Sequence, residues 1–180
     1  KWTLDMEKEF GIPGKTKGRI TPDFYSGQCP LIDENVAILA PGGKALMVGV
    51  DCESGDILWK TPNPDTLRMS HSSIMPMVIH GKKMYVYNAV GGVCGVSAEG
   101  EDTGKLLWQT TKWNPATTAA SPLLLLNNEI ALFGSYGAGG ARLKISFNGS
   151  EYSASVIESH KAMEGLSSDQ QTPVITGEYI

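Results

Sequence analysis

An all-β chain built from repeated four-stranded units is predicted by three observations. A Pro followed by an apolar run recurs four times, as Pro30-Leu31-Ile32, Pro76-Met77-Val78, Pro122-Leu123-Leu124 and Pro173-Val174-Ile175, at spacings of 46, 46 and 51 residues. In the first three copies turn residues and a second apolar run follow within a few positions. Gly and Pro, 21 and 10 of 180 residues, exceed the roughly 12% of an average protein, which favours short strands and many turns over long helices. Four strands in a period of about 46 residues is the signature of a β-propeller blade.

The elements follow in chain order. Residues 1–8 read as the outer strand of a preceding blade. The first full blade spans about 28–60. It has a hairpin turn at Asp33-Glu34-Asn35, a break at Pro41-Gly42-Gly43, and a last strand that leaves Ser54-Gly55 and carries Trp59. The second spans about 74–110, with a turn at His80-Gly81-Lys82, a break at Gly91-Gly92, and a last strand from Thr103-Gly104 to Trp108. The third spans about 120–159, with Asn127-Asn128, a Gly-rich break over 134–140 and a turn at Asn148-Gly149-Ser150; its last strand carries no Trp. Residues 172–180 begin another blade. Short apolar runs bounded by such turns are strands, and the small gaps make them hairpins. Blades stack face to face, so near-continuous apolar runs such as 123–126 replace the alternation of half-exposed strands. Only 155–163 is loosely amphipathic, and β-branched Val156 and Ile157 place it as the third blade's fourth strand.

Charge and motif content narrow the function classes. With 15 basic and 19 acidic residues the net charge is −4, against the basic face that nucleic acid requires. No apolar run approaches the roughly 20 residues of a membrane span, and no signal peptide opens the chain. The chain begins inside a blade, so any export signal is expected upstream. The three cysteines, 29, 52 and 94, are scattered and form no CxxC. No His is paired with Cys or carboxylate at ligand spacing, and neither GxSxG nor HExxH occurs. No catalytic residue and no metal site are predicted.

Candidate binding residues come from topology. The loops entering each first strand and those joining second to third strands gather on one propeller face, around the mouth of the central channel, where loop-borne function sits. The entering loops supply Tyr25, Gln28, His71, Asn114, Thr117, Thr118, Asp169 and Gln170; Tyr136 and Arg142 come from the other set. Trp59 and Trp108, with turn glycines Gly55 and Gly104, recur at fixed repeat positions and are structural, each indole packed between blades with its N–H bonded across the gap. The 134–140 segment lacks the following helix of a phosphate loop and reads as a wide inter-strand loop. His80 reads as a solvated turn residue and Cys29 as a small buried one.

The motif Thr/Ser-Gly-x-x-x-Trp, present as Ser54-Gly55 to Trp59 and as Thr103-Gly104 to Trp108, resembles the quinoprotein-like (PQQ-like) β-propeller repeat. Lys60 and Gln109 follow the tryptophans where a WD40 repeat would carry Asp. The resemblance is strongest over 29–109; the absent third Trp departs from it and leaves that strand's register open by a residue or two. The family closes rings of seven or eight blades, roughly 320–370 residues, so the resemblance implies an incomplete arc belonging with the remaining blades of a longer chain. The family includes the propeller lipoprotein of the outer-membrane barrel assembly machinery. That implies a non-catalytic scaffold binding a protein or polymer through a propeller face, without a cofactor, in the periplasm or at the cell surface. Two alternatives share the repeat. One is a pyrroloquinoline quinone (PQQ) and calcium-dependent alcohol or sugar dehydrogenase, whose adjacent cysteine pair is absent here. The other is a glycan- or small-molecule-binding propeller using Tyr25 and Tyr136.

Overall fold

The structure, a computed structural model, describes residues 1–11, 28–165 and 167–177. Among these residues twelve strands form three four-stranded antiparallel sheets, each in sequential up-and-down order. The first blade comprises β1 (Leu31–Asp33), β2 (Val36–Leu39), β3 (Ala45–Asp51) and β4 (Ile57–Pro62). The second comprises β5 (Met75–Ile79), β6 (Lys82–Ala89), β7 (Gly92–Ser97) and β8 (Leu106–Thr110). The third comprises β9 (Leu123–Leu124), β10 (Glu129–Gly134), β11 (Gly139–Phe147) and β12 (Tyr152–His160).

Local chemistry sets the turns. His80 and Gly81, like Asn127 and Asn128, form left-handed pairs with φ between 50 and 76°, the backbone of a tight hairpin. At the outer turns a side-chain oxygen gathers backbone donors. Asp51 Oδ1 accepts from the amides of Glu53 (2.9 Å) and Ser54 (2.8 Å), and Asn148 Oδ1 from Ser150 (3.0 Å) and Glu151 (2.8 Å). His80 does more than face solvent, since its Nε2 lies 2.9 Å from the Ile145 carbonyl of the next blade.

The core lies between blades. Ile38, Leu46 and Met47 of the first blade meet Tyr85, Tyr87 and Val96 of the second, while Met84, Val86 and Trp108 meet Ile130, Leu132 and Leu143 of the third. Middle strands of the first two blades are therefore covered on both faces, and β7 is buried along its whole length. Trp59 stands opposite Gly49 across the β3–β4 ladder, where a Cβ would lie 2.3 Å from the indole. The same ring reaches the second blade, where a Cβ on Gly104 would come within 2.8 Å and Tyr85 stacks at 6.2 Å. Trp108 faces Gly95 at the same register, where a Cβ would again lie 2.3 Å from the indole. Its N–H turns to Met84 Sδ at 3.2 Å, within its own blade instead of across the gap.

In the third blade that register is held by Arg142 opposite Glu158, beside the same bulge that follows Gly49 and Gly95. The strand that lacks Trp is thereby aligned. Its joint carries ion pairs: Arg142 to Glu158 at 3.0 Å and to Glu129 at 3.3 Å, with His160 2.6 Å from Glu158.

The N-terminal segment departs from expectation. Residues 1–5 pair with no strand among the described residues, and Met6–Phe10 is a short helix, α1. Asp5 caps it by accepting from the Lys8 amide (3.1 Å), and Gly11, at φ 60°, closes it. Local caps and the burial of Phe10 (1% exposed) hold the helical conformation of 6–10. Trp2, Leu4 and Met6 pack with Phe10 on Ala37, Val48 and Val50, the face a preceding blade would cover. Trp2 even lies on Gly55, as Trp59 does on Gly104, and donates its N–H to the Cys52 carbonyl at 2.8 Å.

Polar joints link the first two blades, one of them the buried bond from the Thr61 hydroxyl to the Gly104 carbonyl (2.7 Å). At another, Lys83 Nζ and the Tyr85 hydroxyl both donate to Asp33 Oδ2 at 2.7 Å. The Lys83 bond, then the Tyr85 bond, hold the Asp33 carboxyl below its ordinary range; burial first and Asp33 second push the Tyr85 phenol up. On acidification the unfolded chain takes up the proton first. The joint's contribution is complete above the unfolded carboxylate pKa and is lost as pH falls through the lowered one. Asp33→Asn is expected to cost about 1 kcal/mol at neutral pH, a charge-assisted bond discounted for partial exposure, and to flatten the stability profile below about pH 4. An unchanged acid limb in urea titrations of the variant would show that this carboxylate is not what the acid titrates.

Candidate functional site at the channel mouth

The approaches to β5 and β9 and the segment from 172 carry hydroxyl residues at like positions that hydrogen-bond one to the next. The Ser73 amide donates to Ser121 Oγ (3.1 Å), and the Ser121 amide to Thr172 Oγ1 (2.8 Å). Behind them Pro76, Pro122 and Pro173 line one apolar groove of about 320 Å³ with Leu123, Val174 and Ile175. Proline there removes a donor from the innermost edge, where a free ladder would invite another strand.

At one end of this groove the loops interlock. The His71 amide donates to the Thr118 carbonyl (3.1 Å) and the Ser135 amide to the Thr117 carbonyl (3.0 Å). Thr118 Oγ1 donates to the Phe133 carbonyl (2.9 Å) and accepts from Asn88 Nδ2 (2.8 Å). Ser135 Oγ donates to the Asp169 carbonyl, and the Gly137 amide lies 3.4 Å from Asp169 Oδ1. These bonds frame a cavity of about 300 Å³ lined by His71, Thr117, Ala119, Ser135, Tyr136, Asp169 and Gln170. Tyr136 is 80% exposed at the tip of the β10–β11 turn with φ at 55°. A bulky side chain in the left-handed region costs roughly 1 kcal/mol or more, and such strain gathers at functional positions.

His71, Tyr136, Asp169 and Gln170 thus line one cavity from three separate loops. Tyr25 lies outside the described residues. Gln28 serves the loop itself, its Oε1 accepting from the Ala40 amide (2.9 Å). Asn114 is exposed but does not line the cavity. Arg142 is not at the mouth. The expected wide loop over 134–140 is a four-residue turn, so β11 already starts at Gly139 and carries Arg142 onto the blade face beside Glu129 and Glu158. A Cβ on Gly139 would sit 1.9 Å from the His160 carbonyl, so a side-chain-free residue is required where the strand begins. Ser135 and Ala119 line the cavity without having been singled out; Ser135 was hidden in the Gly-rich stretch, and Ala119 carries no polar signal.

The cysteines offer no nucleophile in this cavity. Cys29 is exposed, contrary to expectation, because it precedes the first strand instead of joining it. Burial pushes the Cys94 thiol up to about 12, leaving it a neutral core residue. Among the described residues no group of three or more His, Cys, Asp or Glu is placed to hold a metal ion, and no helix is long and apolar enough to cross a membrane.

Four-stranded antiparallel blades packed face to face, two of them with their inner strands on one groove, define an arc of a β-propeller. No family model and no curated protein matches the chain. Among solved structures, the crystal structure of BamB from Moraxella catarrhalis is similar at a TM-score of 0.48 and 17% sequence identity, covering 84% of this chain and 44% of that one. The chain spans under half the length of that protein.

Proposed function

We propose that the protein is a non-catalytic propeller domain that binds a protein or polymer partner through the loop face at the channel mouth. The observation that carries this reading is the cavity itself. Loops from two blades and the segment around Asp169 are fastened together by hydrogen bonds, and they present an exposed aromatic ring beside polar groups. A rigid scaffold with polar loops at one end is the usual way a fold carries a binding surface. The quinoprotein-like resemblance adds an extracytoplasmic setting and the remaining blades of a longer chain, checked by fractionating cells that make the whole protein.

A photo-reactive phenylalanine analogue placed at Tyr136, and separately at Asn148 on the opposite-end turn, tests the reading in cells. A discrete heavier adduct from position 136 and none from 148 is expected; equal labelling, or none at 136, overturns it. Titration with PQQ is expected to give no binding with or without calcium. Tight, calcium-dependent binding would replace the scaffold reading with a quinoprotein dehydrogenase.

A further inference from the structure

We infer that the channel-mouth cavity takes a cationic side chain, a lysine or arginine presented by the partner; this deepens the loop-face reading and rests on it. The first argument is charge. Asp169 forms no ion pair among the described residues, and there its carboxylate accepts from the Gly137 amide at a long 3.4 Å. Among the described residues no lysine or arginine lines the cavity, where His71 is the one basic side chain. The protein is also acidic overall, at −4, which favours approach by a basic partner.

The second argument is the aromatic. Tyr136 is held out at 80% exposure in a strained backbone conformation on the rim of the same cavity. A ring face beside a carboxylate is the arrangement that binds ammonium and guanidinium groups, through the ring quadrupole and a charge-assisted hydrogen bond together. The Thr117 and Ser135 hydroxyls add acceptors that suit a group made only of donors. A volume of about 300 Å³ is at the small end of ligand clefts and accommodates a lysine or arginine side chain. A neutral sugar would use the ring and could donate its hydroxyls to the carboxylate, but it would leave the charge of Asp169 uncompensated.

The experiment follows backbone amide shifts of the 15N-labelled protein with end-blocked tetralysine, with the same peptide Nε-acetylated, and with chitotetraose. Tetralysine is expected to move the amides of Tyr136, Gly137 and Asp169, and acetylation to abolish the effect. Asp169→Asn, which keeps the oxygen facing the Gly137 amide, is expected to weaken tetralysine about tenfold, and Tyr136→Leu several-fold. Equal binding by the acetylated peptide, or undiminished binding by Asp169→Asn, overturns the assignment. So do tetralysine shifts confined to the Glu129 and Glu158 face. Shifts at the cavity with chitotetraose alone overturn the cationic ligand but leave the loop face as the binding surface. If neither probe moves these amides the cationic assignment falls, and the adduct test at Tyr136 decides the loop face separately.

Discussion

Trp108→Ala is expected to lower the unfolding free energy by about 3–5 kcal/mol, the range for deleting a large buried aromatic from a core. The indole is 4% exposed and belongs to the cluster that joins the second and third blades. The residue across the ladder is Gly95, which has no side chain to relax into the space, so the cavity should stay open. Urea unfolding with an unchanged m-value reads the effect. A loss below about 1 kcal/mol would mean that the blades are held by other contacts. The glycine supplies an internal control. In the natural protein Gly95→Ala drives a Cβ to 2.3 Å from the Trp108 ring and must destabilise. In the Trp108→Ala background the same methyl enters an empty space, so the second substitution should be neutral or favourable. Strong coupling in this cycle is the mark of a glycine kept for its neighbour. Glu158→Ala, at the equivalent register of the third blade, removes a partly exposed ion pair and should cost no more than about 1 kcal/mol.

The contrast between these joints explains what was legible in the sequence. Prolines, turn glycines and apolar runs report on the backbone at their own positions, so the period gave the blades and their order directly. Trp59 and Trp108 were legible as packing residues because they recur at one offset from a turn. Their partners were not: Gly49 and Gly95 sit within apolar runs, and only the ladder reveals them opposite the rings. Arg142 was misplaced for a related reason. A run of glycines marks freedom without marking length, and a turn shorter by a few residues moves a charged side chain from the loop face to the blade face. Residues 1–8 failed differently. Repeat logic extends a strand wherever a blade is expected, whereas Asp5 and Gly11 had already specified a helix locally. The channel-mouth cluster was legible because loop position depends on strand order alone, which the repeat fixes. The hydrogen bonds that make the cluster rigid depend on side-chain directions that no spacing conveys.

That rigidity is itself testable at Thr118, which is fully buried beneath the loops (0% exposed). Thr118→Val preserves shape and removes the hydroxyl that donates to the Phe133 carbonyl and accepts from Asn88 Nδ2. Asn88 would keep only its 3.3 Å bond to the Phe133 carbonyl, and its Oδ1 already lacks a partner among the described residues. Leaving such groups buried and underbonded costs about 1–3 kcal/mol. The consequence for function is more specific than the loss of stability. The Thr118 and Thr117 carbonyls are the acceptors for the His71 and Ser135 amides, so a loosened 111–122 loop should release both. Hydrogen exchange at His71 and Ser135 is therefore expected to accelerate in Thr118→Val well beyond the change at β6 and β7, whose ladder is untouched. Uniform acceleration across the domain would instead mean that the substitution acts on global stability alone. A selective change would show that one buried hydroxyl holds together the walls of the cavity in which Tyr136 and Asp169 stand.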